Sequence, residues 1–263
     1  MSTRDEAWPL GTPSWVDLSS PDVASSNEFY RRLFGWEIMD TGEEMGHYGI
    51  CMINGRAAAG IGPTQPGAAG PPAWTTYIAV DDAEKTAEAI AANGGTVVMA
   101  PMEVPGQGRM AIAADPTGAF FGIWQAQGMI GEGVYNEPGA VSWNEQISRD
   151  PDRARQFYSA VFGYTFDPVE GGDPYWTFTT ADGRMAGGLG AMRQGVREET
   201  PAHWMTYFGV ASTDEAASRA GSAGGTVAQP PFTTPFGRIA AIVDPHGAVF
   251  MITDNAMSGS DQA

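Results

Sequence analysis

Apolar and polar positions along the first half of the chain change period several times, and each change marks an element. Ser14–Leu18 reads as a strand. Asp22–Phe34 reads as a helix, with Phe29/Leu33 and Tyr30/Phe34 as i,i+4 pairs on one face and Gly35 as its stop. His47–Ile53 and Ala57–Ile61 flank Asn54-Gly55, a strong hairpin signal. A second round follows: Trp74–Val80 as a strand, Asp82–Ala92 as a helix closed by Gly94-Gly95, then strands near Thr96–Met99, Arg109–Ala114 and Ala119–Trp124. The last two strands flank Asp115-Pro116-Thr117-Gly118, a type I turn with Asp first, Pro second and Gly fourth. Each round has the order βαβββ.

The whole pattern then recurs. Ser14-Trp15 matches Ser142-Trp143, Phe29-Tyr30 matches Phe157-Tyr158, and Asn54-Gly55-Arg56 matches Asp182-Gly183-Arg184, all 128 positions apart. At an offset of 130, Trp74 falls on Trp204, Thr76-Tyr77 on Thr206-Tyr207, and Gly94-Gly95-Thr96-Val97 on Gly224-Gly225-Thr226-Val227. At 129, the turn at Asp115 falls on Asp244-Pro245-His246-Gly247. Blocks with such small indels identify two copies of one domain. We place them at residues 8–128 and 139–257, with 129–138 as linker. In the second copy Asp150 can cap a helix whose first residue is Pro151.

Composition narrows the function classes. With 31 acidic against 14 basic residues the net charge is −17, which disfavours nucleic acid and anionic membrane surfaces as partners. Cys51 is alone, so no intrachain disulfide forms and a Cys-rich metal site is excluded. No apolar stretch approaches 18 residues, and MSTRDEAWPL lacks signal-peptide character, so a cytoplasmic location is expected.

The helix signatures Asp22-x6-Phe29-Tyr30-x2-Leu33-Phe34-Gly35 and Asp150-x6-Phe157-Tyr158-x2-Val161-Phe162-Gly163, the strand Ile78–Asp82 and the two Asp-Pro-x-Gly turns resemble the vicinal oxygen chelate superfamily of glyoxalases, dioxygenases and bleomycin-binding proteins. The resemblance implies an α+β fold of four βαβββ modules in two glyoxalase-like domains, with mixed curved sheets forming cups. It also implies where metal ligands would stand. Those positions hold Trp15, Thr75, Gly122 and the run Ala57–Gly60 in the first copy. In the second they hold Trp143, Met205, Met251 and the run Met185–Gly188. None is a normal ligand for a first-row divalent metal, so no metal and no other cofactor is expected.

Residues two apart on a strand share a face. The cup linings are therefore expected to be Trp15, Asp17, Ser19, Thr75, Tyr77, Phe120, Gly122 and Trp124 in copy one, and Trp143, Glu145, Ile147, Met205, Tyr207, Val249, Met251 and Thr253 in copy two. Such aromatic cups suit a hydrophobic, aromatic small molecule. Trp15 and Trp143 read as ligand-stacking rings or, alternatively, as core plugs. Trp74 and Trp204 read as packing under the helices. Asp17 and Glu145 read as general acid/base candidates or as ion-pair partners of Arg109 and Arg238. His47, His203 and His246 show no two-His spacing, and His246 reads as solvent-facing; Cys51 reads as a buried inert thiol. Gly67–Gly70, with Pro66, Pro71 and Pro72, reads as a lid over the cup edge or a plain connection. No nucleophile elbow or phosphate-binding glycine loop is present. Two functions follow: a binding protein with a drug-resistance or biosynthetic accessory role, and a metal-independent tailoring or detoxification enzyme using Asp17 or Glu145. The two copies are expected to form a pseudo-dimer internally, leaving the chain a monomer or weak homodimer.

Overall fold

The computed structural model describes residues 1–65 and 70–254. The proposed lid falls mostly on residues 66–69, and the end of the second copy on 255–257; both lie outside the described residues. The first copy comprises β2 (Pro13–Ser20), α1 (Val23–Phe34), β3 (Glu37–Asp40), β4 (Gly49–Ile53) and β5 (Arg56–Pro63), then β6 (Ala73–Ala79), α2 (Ala83–Ala92), β7 (Thr96–Val104), β8 (Gly108–Ala114) and β9 (Phe120–Ala126). The second repeats it as β11 (Val141–Ser148), α3 (Pro151–Phe162), β12 (Thr165–Pro168), β13 (Tyr175–Thr179) and β14 (Met185–Ala191), then β15 (His203–Gly209), α4 (Thr213–Ser222), β16 (Thr226–Thr234), β17 (Gly237–Val243) and β18 (Val249–Thr253). Two short strands, β1 (Ser2–Thr3) and β10 (Val134–Tyr135), pair and tie the N-terminus to the connecting segment.

Each copy builds its own eight-stranded mixed sheet, in the order β3-β4-β5-β2-β6-β9-β8-β7 and its equivalent in copy two. The cups therefore form within copies. The two modules of a copy meet where β2 runs antiparallel to β6, while β2/β5 and β6/β9 are parallel. Local chemistry sets the helix ends: Asp22, Asp82, Asp150 and Ser212 each accept a hydrogen bond from a first-turn backbone N–H, and Gly35 and Gly163 close α1 and α3 in the left-handed conformation. β4 begins two residues later than its pattern suggests, because His47 has φ +57° and ends a turn held by its N–H on the Gly42 carbonyl.

The helices lie between the two sheets. α1 packs against α4 and α2 against α3, so each of the two main cores mixes both copies. Val16, Leu18, Phe29, Tyr30 and Trp74 share one core with Phe208, Ile242 and Phe250; Ile78, Phe121 and Ile123 share the other with Phe157, Tyr158 and Trp204. The helix tyrosines reach across this junction. Tyr30 donates to Asp244 Oδ2 (3.1 Å) and accepts from Trp74 Nε1 (3.1 Å). Tyr158 donates to Asp115 Oδ2 (3.1 Å) and accepts from Trp204 Nε1 (2.8 Å). Trp74 and Trp204 thus pack under the helices. Among the described residues no helix is long and apolar enough to cross a membrane.

Candidate functional site

The strand faces opposite this shared core are the cups. In copy one, Trp15, Tyr77 and Trp124 form a buried aromatic cluster, and Tyr48, Ile50, Ala57, Met110, Ile112 and Met129 pack around it. Asp17 stands among them, half-buried. Its Oδ2 accepts from Tyr77 Oη (3.1 Å) and Tyr48 Oη (3.2 Å), and Tyr48 Oη in turn accepts from Trp15 Nε1 (3.0 Å). Burial pushes the Asp17 carboxyl up to about 7, against the pull of the two phenol hydrogen bonds.

Copy two builds the same relay from different residues. Tyr207 Oη donates to Glu145 Oε1 (2.7 Å), and Trp143 Nε1 donates to Tyr175 Oη (2.9 Å). Burial also raises Glu145, while Tyr207, Tyr175 and the Arg193 guanidinium pull it back down. Here Met251 and Ile239 join Trp143 and Tyr207 in the buried cluster, with Met205 and Phe232 against it.

Neither carboxylate pairs with the expected arginine. Arg109 is held by Glu84 of α2, and Arg238 by Asp214 of α4, at 2.6 and 2.9 Å for the latter. These arginines belong to exposed helix-to-strand ion pairs, so Asp17 and Glu145 keep only phenolic partners in direct contact. Phe120 points to the cup face with Gly122 and Trp124, since Phe121 and Ile123 between them enter the shared core. It is nevertheless 57% exposed, and extends the apolar face outward rather than lining the buried cluster. The histidines stay apart: His47 pairs with Asp40 at the surface, and His203 bonds the Pro201 carbonyl. His246 is half-buried rather than solvent-facing, since its turn packs against the protein. Cys51 is buried in the shared core, and burial pushes its thiol well up.

Sequence reasoning missed Tyr48 and Tyr175. They are not repeat mates at the offset of 128, which pairs Tyr48 with Trp176. The glycines facing them are the signal that could have found them. A Cβ at Gly60 would collide with the Tyr48 hydroxyl, and one at Gly188 with that of Tyr175. Gly122 likewise leaves room for the ring of Tyr77. Gly122, and Gly60 and Gly188 within the runs where the resemblance implies a further ligand, are thus glycines whose side-chain space is filled by aromatic rings. Among the described residues no three His, Cys, Asp or Glu side chains converge. These residues do not fit a divalent metal.

The fold and the paired cups define a tandem glyoxalase-type protein. Residues 12–123 match the Glyoxalase/Bleomycin resistance protein/Dioxygenase superfamily and residues 145–253 a glyoxalase-like domain, and the chain belongs to that superfamily. It is 40% identical over 249 residues to the putative glyoxylase CFP32 of Mycobacterium tuberculosis, covering 92% of this chain and 94% of that protein. It is 37% identical over 265 residues to the anthracycline biosynthesis protein DnrV of Streptomyces peucetius, covering 93% of each. The Mn(II)-bound glyoxalase from Novosphingobium aromaticivorans shares the fold, with a TM-score of 0.63 at 15% identity over 95% of this chain and 86% of that one.

Proposed function

We propose that the protein binds a hydrophobic, aromatic small molecule in a cup, without a metal, in a resistance or biosynthetic accessory role. The observation that carries this reading is the Asp17 carboxyl, half-buried and held only by phenols on an aromatic concave face. A half-buried carboxyl with no ion-pair partner keeps hydrogen-bonding capacity that a ligand can use. Trp15, Trp124, Met110 and Ile112 supply apolar walls, and Asp17 supplies one polar anchor for a ligand hydroxyl or carbonyl. The relative named for anthracycline biosynthesis supports a polycyclic aromatic ligand. We place this role in the cytoplasm.

A second reading, a metal-independent tailoring or detoxification enzyme, is favoured by one observation: a carboxyl near 7 takes and gives a proton at physiological pH. Titration with 1,4-dihydroxyanthraquinone, following tryptophan emission and the probe's mass, separates the two. Binding predicts quenching with the probe recovered unchanged, and a weakening of about tenfold or more in Asp17→Asn. Unquenched emission at probe saturation, with no retention on ultrafiltration, refutes it. Chemical conversion lost in Asp17→Asn without loss of affinity would establish the enzyme instead.

A further inference from the structure

We propose that ligand binding belongs to the first copy's cup alone, and that Met205 and Met251 cap the cup of the second. This rests on the binding reading above. The two cups share their polar relay, so the difference lies in what stands beside it. On β6 the residue directly across from Asp17 is Thr75; on β15 the residue across from Glu145 is Met205. On β9 the residue beside Tyr77 is Gly122; on β18 the residue beside Tyr207 is Met251. Residues paired across neighbouring strands present their side chains on one face, within reach of each other. Each polar group of the second relay therefore has a thioether chain at its side, where the first has a threonine and a glycine.

Exposure follows this difference. Asp17 is half-buried, whereas Glu145 is 8% exposed. Gly122 leaves its side-chain space to the Tyr77 ring, whereas Met251 itself stands beside Tyr207. Phe120, Val98 and Met102 on the first cup's apolar face are about half exposed, and Met102 pairs across strands with the cup residue Met110. Met chains fill irregular gaps well, which suits them as a plug.

Two experiments test the assignment. In the first, 1,4-dihydroxyanthraquinone is titrated into the full chain and its stoichiometry read by ultrafiltration. One site per chain is expected, weakened at least tenfold by Thr75→Met, with a second site appearing in Met205→Thr/Met251→Gly. Two equivalent sites in the unmodified protein, or an unchanged site in Thr75→Met, would overturn the proposal. The second needs no ligand. Carbodiimide with glycinamide at pH 6, followed by peptide mapping, should modify Asp17 and spare Glu145 until Met205 is changed to Thr. Met205→Thr alone also serves if the double variant does not fold. Equal modification of both carboxyls in the unmodified protein removes the cap. Absence of anthraquinone binding with Glu145 still protected removes the binding reading and leaves the cap standing.

Discussion

Asp17 should make the fold less stable as pH rises through neutrality, and Asp17→Asn should abolish that loss. Its carboxyl sits at about 7 in the folded protein and at the ordinary 3.8 when unfolded. Below 3.8 both states hold the proton and the group contributes nothing to pH dependence. Between 3.8 and 7 the unfolded chain ionises while the folded one stays neutral, so the folded state loses ground as pH rises. Above 7 the penalty is complete. A difference of about three at roughly 1.4 kcal/mol each sets a ceiling near 4 kcal/mol. Partial exposure of Asp17 lowers this toward about 2 kcal/mol. The replacement keeps the shape and an acceptor for Tyr48 and Tyr77 but cannot ionise. Urea denaturation of both proteins at pH 5 and pH 8 reads the effect as a double difference. Glu145 and Glu132, which burial also raises, titrate in both and cancel. About two of those three fall between pH 5 and pH 8, so the variant should gain about 1–2.5 kcal/mol on the unmodified protein between the two pH values. Parallel pH profiles would show that Asp17 is solvated and ionised in the folded state, and the reasoning would fail.

Tyr30→Phe and Tyr158→Phe should each cost about 1–3 kcal/mol, because each strands a buried indole N–H and weakens an aspartate contact across the junction; thermal unfolding checks this, and unchanged melting would deny the network its role. Elemental analysis should find no stoichiometric Zn, Fe, Ni or Mn, and EDTA should leave ligand binding unchanged; about one metal per copy would contradict the reading of the glycine positions. In light scattering at micromolar concentration the chain should behave as a monomer or weak homodimer, since the helix faces are already covered by the other copy; a tight tetramer would contradict this.

The repeat made the architecture legible. Glycine stops, aspartate caps and the Asp-Pro-x-Gly turns act within a few residues of themselves, so their meaning survives without the fold. Strand alternation also placed Asp17 and Glu145 on the concave side. What escaped were partners set by distance in the chain. Tyr48 reaches Asp17 only because Gly60, on the neighbouring strand, has no side chain, and a period-two pattern carries no such pairwise term. The arginines misled for the related reason that Arg109 and Arg238 had nearer acids on the helices behind them. Phe120 had the right face but lies toward the rim, and exposure along a strand depends on sheet curvature.

The helices packed between the sheets also explain where the two copies still resemble each other. Phe29-Tyr30 and Phe157-Tyr158, Trp74 and Trp204, and the turns at Asp115 and Asp244 all sit in the junction, where each half is the template for the other. A change at one of these contacts meets the opposite copy directly. The concave faces have no such partner. There Trp15 and Trp143, and Tyr77 and Tyr207, are the same in both copies, while Asp17 and Glu145, Thr75 and Met205, Gly122 and Met251, and Trp124 and Thr253 differ. A fused pair of this kind can therefore remodel one recognition face while the other holds its chemistry, and a family built on it can acquire new ligands without risking its scaffold.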